Sequence, residues 1–276
     1  SRTFRPLLAL CETIRRRDAE DLTPVPERGV PSEVLPLIGA INVHIARLGK
    51  MLEARRRFLA DAAHQIRTPL AVLGTQAEYG ERQSDPQEMR QTFAGMQRSI
   101  RGTKHMANQM LTLARAEQVN GLIQTRLRLD FVELARDVAG DFAVLALDKH
   151  IDLAFEAPES PLWIDGNAVM LREMVSNLAD NALRYTPDGG HVTISVTRDS
   201  ACVCLSISDD GPGIPPAERE NVFKRFYRIL GSGDSEGSGL GLAIVREICH
   251  AHQGTIRLGD GPSGHGLTVD IRLKAD

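Results

Sequence analysis

The sequence predicts an α plus α/β chain, a helical amino-terminal half joined to a mixed α/β domain, and three observations carry that prediction. Apolar residues recur every three or four positions from Val34 to Ala114, they alternate in short runs beyond residue 150, and a polar stretch, residues 120–128, separates the two textures. The length of 276 residues corresponds to about two domains. A composition 42% hydrophobic and 25% charged supports a globular core. Lys and Arg number 33 against 36 Asp and Glu, so the net charge of -3 fits neither a basic nucleic-acid binder nor a disordered acidic tail. No apolar run approaches the roughly 18 residues of a membrane span. The chain starts at Ser1 without a signal-like segment and is expected to be a fragment of something longer.

The elements follow in order. Leu7, Leu10, Cys11 and Ile14 have helical spacing, and residues 21–32 break it with Pro24, Pro26, Gly29 and Pro31. From Val34 a stripe runs through Leu37, Ile41, Ile45, Leu48 and Leu52 and resumes at Leu59, Ala62, Ile66, Leu70 and Leu73, the three-four rhythm of a bundle helix. Residues 80–86 are turn formers, and Phe93, Met96, Ile100, Thr103, Ala107, Met110 and Ala114 mark a second long helix. The pair reads as a helical hairpin with little core of its own, which predicts self-association into a four-helix bundle.

Beyond the connector, strands are predicted at 151–156, 192–198, 202–209, 255–258 and 267–273, with helices at 131–149, 167–184 and 240–252. Val192, Ile194 and Val196, then Val203, Leu205 and Ile207, then Leu267, Val269, Ile271 and Leu273 share one parity. One sheet face is therefore apolar, as in an antiparallel or mixed sheet covered by helices on one side. Gly189 and Gly190 form a tight turn before the Val192 strand. Four cysteines do not make a disulfide framework, so a reducing, cytosolic setting is the default. Cys249, His250 and His252 lack a second ligand pair at zinc spacing and read as ordinary structure.

Four segments carry chemistry. His64 lies off the apolar stripe of its helix and should face solvent, with Pro69 bending the helix nearby. Glu173, Asn177, Asn181 and Arg184 share one face opposite Leu171, Met174, Val175, Leu178 and Ala182. Asparagines are indifferent helix formers, and a neutral amide oxygen such as that of Asn181 suits Mg²⁺ that keeps waters and phosphates. Asp209 shares the parity of the buried strand residues, where a carboxylate requires a hydrogen-bond donor. Gly237, Gly239 and Gly241 open a helix, where backbone N–H groups bind phosphate.

The segment Phe58-Leu-Ala-Asp61-Ala-Ala-His64-Gln65-Ile-Arg67-Thr68-Pro69-Leu70 resembles the phospho-acceptor box of sensor histidine kinases. Asn177-Leu-Ala-Asp-Asn181-Ala-Leu-Arg184-Tyr185 resembles their N box, Asp209-Asp210-Gly211-Pro212-Gly213-Ile214 their first glycine box, and Gly237-Ser238-Gly239-Leu240-Gly241-Leu242 their second. Arg5-Pro6-Leu7, the break at Asp21 and Glu33 resemble a HAMP relay. The resemblance implies HAMP helices at 1–52, a dimerising phosphotransfer hairpin at 53–118, and a Bergerat-type α/β sandwich binding ATP at 127–276. It implies that Asp209 meets the adenine, Asn181 holds Mg²⁺, and Asn177 and Arg184 face the phosphates while Tyr185 borders the nucleotide. Gly211, Gly213, Ile214, Phe226, Gly237, Gly239, Leu240, Gly241 and Leu242 are the further implied ATP contacts, with Arg225 and Arg228 on the terminal phosphate. Residues 231–238 would form a lid.

The implied reaction is phosphoryl transfer from ATP to His64 and then to an aspartate of a response-regulator receiver domain, in a homodimer. Gln65 stands where many relatives carry an acidic residue and cannot act as a base, help typically worth roughly 10²- to 10⁴-fold, so slower autophosphorylation is expected. Thr68 matches the position that orients water for dephosphorylating the regulator. Arg2, Arg5, Arg15, Arg16 and Arg17 outnumber Glu12, as on the cytoplasmic side of a bacterial inner-membrane span lying upstream. The His64 segment looks most like tricarboxylate-uptake sensors. A related ATPase of the gyrase and heat-shock superfamily, or a scaffold or phosphatase-dominant sensor deficient in kinase activity, is the alternative.

Overall fold

The computed structural model describes residues 12, 21–27, 32, 34–118, 126–229, 237–262 and 264–276. The predicted first helix around Leu7 to Ile14 and the predicted lid, apart from Gly237 and Ser238, lie outside them. The chain divides into two compact units, Ser1–Arg67 and Thr68–Asp276. Helix α1 (Leu35–Arg82) has 48 residues and includes Pro69, whose missing N–H leaves the Gln65 carbonyl without its usual helical donor.

In the first unit, residues 21–27 form no regular element, as their prolines dictate. Val25 is 2% exposed, and its backbone is clasped from both sides by one amide of α1. The Val25 N–H donates to Asn42 Oδ1 at 2.6 Å, and Asn42 Nδ2 donates to the Val25 carbonyl at 3.0 Å. Leu22 packs where Gly49 presents no side chain.

In the second unit, α1 is followed by α2 (Pro86–Gln118) after a connector of residues 83–85. The sequence placed the turn at 80–86, but helical hydrogen bonding persists through Arg82. Asp85 terminates the connector by accepting the Gln87 N–H at 2.9 Å, and Pro86 occupies the first helical position, where its missing donor costs nothing. Gly95 of α2 is buried against the Gln76 side chain of α1, whose amide occupies the space a Cβ would need.

The α/β domain begins with β1 (Leu127–Asp130), a strand not expected from the sequence, whose first two residues fall in the polar connector. It pairs antiparallel with β3 (Trp163–Gly166), also unforeseen. Both have four residues, too few for alternation to stand out. Between them lie α3 (Phe131–Asp148), capped by Asp130, and β2 (Asp152–Glu156). Next come α4 (Ala168–Tyr185), β4 (His191–Asp199), β5 (Cys202–Asp209), α5 (Gly241–Ala251), β6 (Thr255–Asp260) and β7 (Leu267–Lys274).

Five strands form one mixed sheet in the order β2-β4-β5-β7-β6, with β2 and β4 parallel and the other pairs antiparallel. The register sets Ile194 opposite Ile207 and Ile207 opposite Val269, so the predicted parity becomes one buried face. Helices α3, α4 and α5 supply the opposing layer through Phe131, Leu171, Met174, Leu178 and Ile244, all at most 2% exposed. Cys202 and Cys204 sit half-buried on β5, the middle strand of the sheet.

Candidate functional site

Helix α4 positions the asparagines. Its start is fixed by Asn167, whose side chain accepts the Met170 N–H at 3.1 Å while its own N–H donates to His252 Nε2 at 3.1 Å. His252 donates from Nδ1 to the Ile248 carbonyl, which sets the neutral tautomer. Burial holds His252 below its ordinary pKa, the Ile248 carbonyl opposing and the Arg126 charge adding. His252 is thus a structural peg between α4 and α5. Among the described residues, no group of three His, Cys, Asp or Glu side chains is arranged to hold a metal. Cys249 is buried, and that burial pushes its thiol up to about 12.

The apolar face of α4 is buried as its spacing requires, but the opposite face is not simply solvated. Asn177 is 4% exposed. Its Nδ2 donates to the Glu173 carbonyl at 2.8 Å and to Glu173 Oε1 at 3.1 Å, which gives Glu173 a contact the sequence did not assign. Its Oδ1 accepts from Gln109 Nε2 of α2 at 2.8 Å. Asn181 and Tyr185 are half-buried, and Arg184 pairs with Asp180 at 2.8 Å on the same helix.

The glycine-rich start of α5 lies directly against these amides. A Cβ on Gly241 would stand 3.2 Å from Asn181 Nδ2, 3.4 Å from Asn177 Oδ1 and 3.5 Å from Asn181 Oδ1. A Cβ on Gly237 would stand 3.6 Å from Arg184 Nη1 and 3.8 Å from the Tyr185 hydroxyl. Gly239 has φ +68 and its carbonyl accepts the Phe226 N–H at 2.8 Å, while Phe226 itself has φ +60. Here the chain needs glycine, since a Cβ on Gly239 would fall 2.7 Å from the Phe226 carbonyl carbon. Leu240 is fully buried and Leu242 partly so.

Asp209 closes β5 with a side chain 6% exposed. Its Oδ1 accepts from the Gly211 N–H at 2.8 Å and the Leu267 N–H at 3.3 Å, which leaves Oδ2 for an external donor. Burial raises its pKa, the two backbone donors counteract, and Asp210 adds to the rise. Gly211 approaches the Tyr185 carbonyl so closely that a Cβ would stand 3.0 Å away, and Gly213, at φ +70, packs on the Gly266 backbone. Ile214 is half-buried, its carbonyl taken by Arg219 Nε at 3.1 Å, and Arg219 also pairs with Asp260.

Glu218 accepts from the Tyr227 hydroxyl at 2.5 Å and from Asn221 Nδ2 at 3.1 Å; both bonds lower its pKa, and the first raises that of Tyr227. Arg225 is half-buried, desolvation lowering its pKa, and Arg228 is exposed. On α1, His64, Gln65 and Thr68 are exposed, as the stripe predicts for His64.

The structure thus gathers Asn177, Asn181, Arg184 and Tyr185 around Gly237 to Gly241, with Asp209 and Gly211 adjoining Tyr185. Sequence reasoning missed Gln109, Ser238, Leu267, Arg219 and the Glu218–Tyr227 pair. A glutamine inside the apolar rhythm of the second long helix was the one available signal.

A cradle of backbone donors and neutral amide oxygens beside a buried carboxylate defines a nucleotide-binding α/β domain. Residues 166–276 match the model of the histidine kinase-, DNA gyrase B- and HSP90-like ATPases, 54–119 that of the His Kinase A phospho-acceptor domain, and 4–50 that of the HAMP domain of PhoQ-like sensor proteins. The chain belongs to the two-component sensor histidine kinases, of which it is similar to a cytoplasmic region.

It is 38% identical over 273 residues to the sensor protein kinase PmrB of Pseudomonas aeruginosa, covering 99% of this chain and 57% of that protein. It is 35% identical over 276 residues to the sensor protein QseC of Salmonella typhi, covering 98% of this chain and 59% of that one. The chain therefore spans little more than half the length of these relatives, and neither name supports the tricarboxylate subgroup. The histidine kinase AdeS of Acinetobacter baumannii shares the fold, with a TM-score of 0.62 at 24% identity over 77% of this chain and 98% of that one. Among the described residues no helix is long and apolar enough to cross a membrane.

Proposed function

We propose that this chain is the kinase portion of a homodimeric sensor that phosphorylates His64 from Mg-ATP and passes the phosphoryl group to an aspartate of a response-regulator receiver domain. The observation that carries this reading is the abutment of Gly241 on the amides of Asn177 and Asn181, with Asp209 held by two backbone donors nearby. Adenine would donate its amino group to Asp209 Oδ2, in contact with Gly211, Gly213 and Ile214. Tyr185 and Phe226 would flank the nucleotide. The phosphates would meet Asn177, Arg184, the N–H groups from Gly237 to Leu242, and the guanidinium groups of Arg225 and Arg228.

The donor set fits a magnesium ion, since neutral amide oxygens face a helix start that lacks a Cβ. Asn181 would hold it, and the ion, when bound, supplies charge neutralisation for the phosphates. The bond between the γ-phosphorus and its bridging oxygen breaks as a phosphorus–nitrogen bond forms on neutral His64, ADP leaves, and the imidazole proton passes to solvent. Gln65 can orient the ring but not take that proton. Thr68 would position water for a separate phosphatase activity, in which water attacks the regulator's aspartyl phosphate and inorganic phosphate leaves. The proposed modules are a HAMP-like relay at 1–52, the hairpin at 53–118 and the ATP-binding domain at 127–276. A membrane anchor upstream would place the chain on the cytoplasmic side of a bacterial inner membrane.

Incubation with γ-labelled ATP and Mg²⁺ tests the reading. Acid-labile label should appear on the wild-type chain and be lost in His64→Ala and in Asn181→Ala. Free phosphate without labelled protein would instead indicate an ATPase, and neither product would indicate a scaffold.

A further inference from the structure

Helix α2 serves two different neighbours along its length, and around Gln109, Met110 and Leu113 it is buried where it meets α5 and α4. Met110 and Leu113 provide the apolar contact, 9% and 1% exposed. Beside them Gln109, 4% exposed, carries an amide with both ends occupied. Its Nε2 donates to Asn177 Oδ1 at 2.8 Å, and its Oε1 accepts the Ser238 hydroxyl at 2.7 Å. Ser238 in turn accepts the Leu240 N–H at 3.2 Å. One side chain from the hairpin therefore ties together a polar group of the N box and one of the second glycine box.

The chemistry of this link matches that of the ligand proposed for the same place. The waters of a cation held at Asn181 would present donors to the adjacent Asn177 oxygen, as the Gln109 NH₂ does. A phosphate oxygen accepts from a hydroxyl and from backbone N–H groups at a helix start, as the Gln109 carbonyl does from Ser238. While Gln109 is seated, the Asn177 oxygen accepts from it, the Ser238 proton is given to it, and the Leu240 N–H is turned onto Ser238 rather than outward.

We infer that Gln109 is a built-in surrogate for magnesium and phosphate, so that docking of α2 and loading of nucleotide compete for Asn177 and Ser238. The inference rests on the assignment of these two motifs to ATP. By linkage, whatever pulls α2 away raises nucleotide affinity, and nucleotide loosens α2 by the same factor. A signal arriving along the hairpin would then act on the ATP site without reaching it directly.

The test is calorimetric titration of Mg-ADP into the 276-residue chain and its Gln109→Met variant, which keeps the volume and apolar packing but loses both hydrogen bonds. The variant should bind about tenfold more tightly, within the range typical of such couplings. Equal or weaker binding by Gln109→Met would overturn the latch while leaving the nucleotide assignment standing. Failure of both proteins to bind Mg-ADP would remove the nucleotide assignment and the latch with it. A readout that needs no variant is amide hydrogen exchange of the wild-type chain over residues 106–114. Saturating Mg-ADP should speed it, and unchanged or slower exchange would contradict the competition.

Discussion

The two ends of α2 make an instructive pair. Near its start, Phe93 and Ile100 are 57% and 52% exposed, although they belong to the same apolar rhythm as Met110, which is buried beside Leu113. The rhythm specifies a helix with a sticky face but not what meets it. The carboxyl end finds α5 and α4 of its own chain, whereas the amino end, like Leu48, Met51, Leu59, Leu70 and Val72 of α1, presents apolar area of the kind a second copy would cover. Cores that a chain completes by itself and cores that need a partner look alike until the long-range packing is known.

The largest effect should separate these two kinds of apolar residue. Ile271, fully buried at the sheet, should cost about 3 kcal/mol on truncation to alanine, the range for buried aliphatic side chains. Ile100→Ala should change the unfolding of the α/β domain by less than about 0.5 kcal/mol, as exposed sites do, while weakening self-association. Urea unfolding followed through Trp163, the one tryptophan, reads the first quantity, and sedimentation reads the second. Equal unfolding penalties would erase the distinction.

A smaller effect should distinguish two glycines of one motif. Gly239 has φ +68 and its Cβ would meet the Phe226 backbone, so Gly239→Ala should lower stability by about 1–3 kcal/mol. Gly237→Ala would meet only the ends of Arg184 and Tyr185 at ordinary distances and should stay near wild type in thermal unfolding. The comparison fails if the two variants melt together.

Smaller still is a pH effect. The pKa of His252 in the folded chain is depressed chiefly by burial, so below about 6.5 the unfolded chain takes a proton that the native chain refuses. Its stabilising contribution is complete above that pH and declines as pH falls toward the folded pKa. The melting-temperature advantage of wild type over His252→Gln should therefore shrink between pH 7.5 and pH 5. A constant difference would mean that His252 titrates normally.

Much of the α/β domain was legible because its long strands alternate strictly, whereas the caps Asn167 and Asp130 emerged only in the structure. The four-residue strands β1 and β3 escaped, since their pairing joins Leu129 to Ile164 across 35 positions and nothing local announces it. Among candidate site residues, the exposure of His64 followed from helical phase and the burial of Asp209 from strand parity. Asn177 did not: a polar helix face reads as solvated, yet this one is covered by Gln109.

The sequence by itself determined the periodicities, the glycines at left-handed positions and the family motifs, because each depends on neighbours a few residues away. Only the tertiary structure decided which stretch of α2 is spoken for, what Asn177 and Ser238 hold, and that His252 pegs two helices together. Those depend on side chains 68, 129 and 85 positions apart, whose meeting is fixed by burial of the whole domain rather than by any local rule.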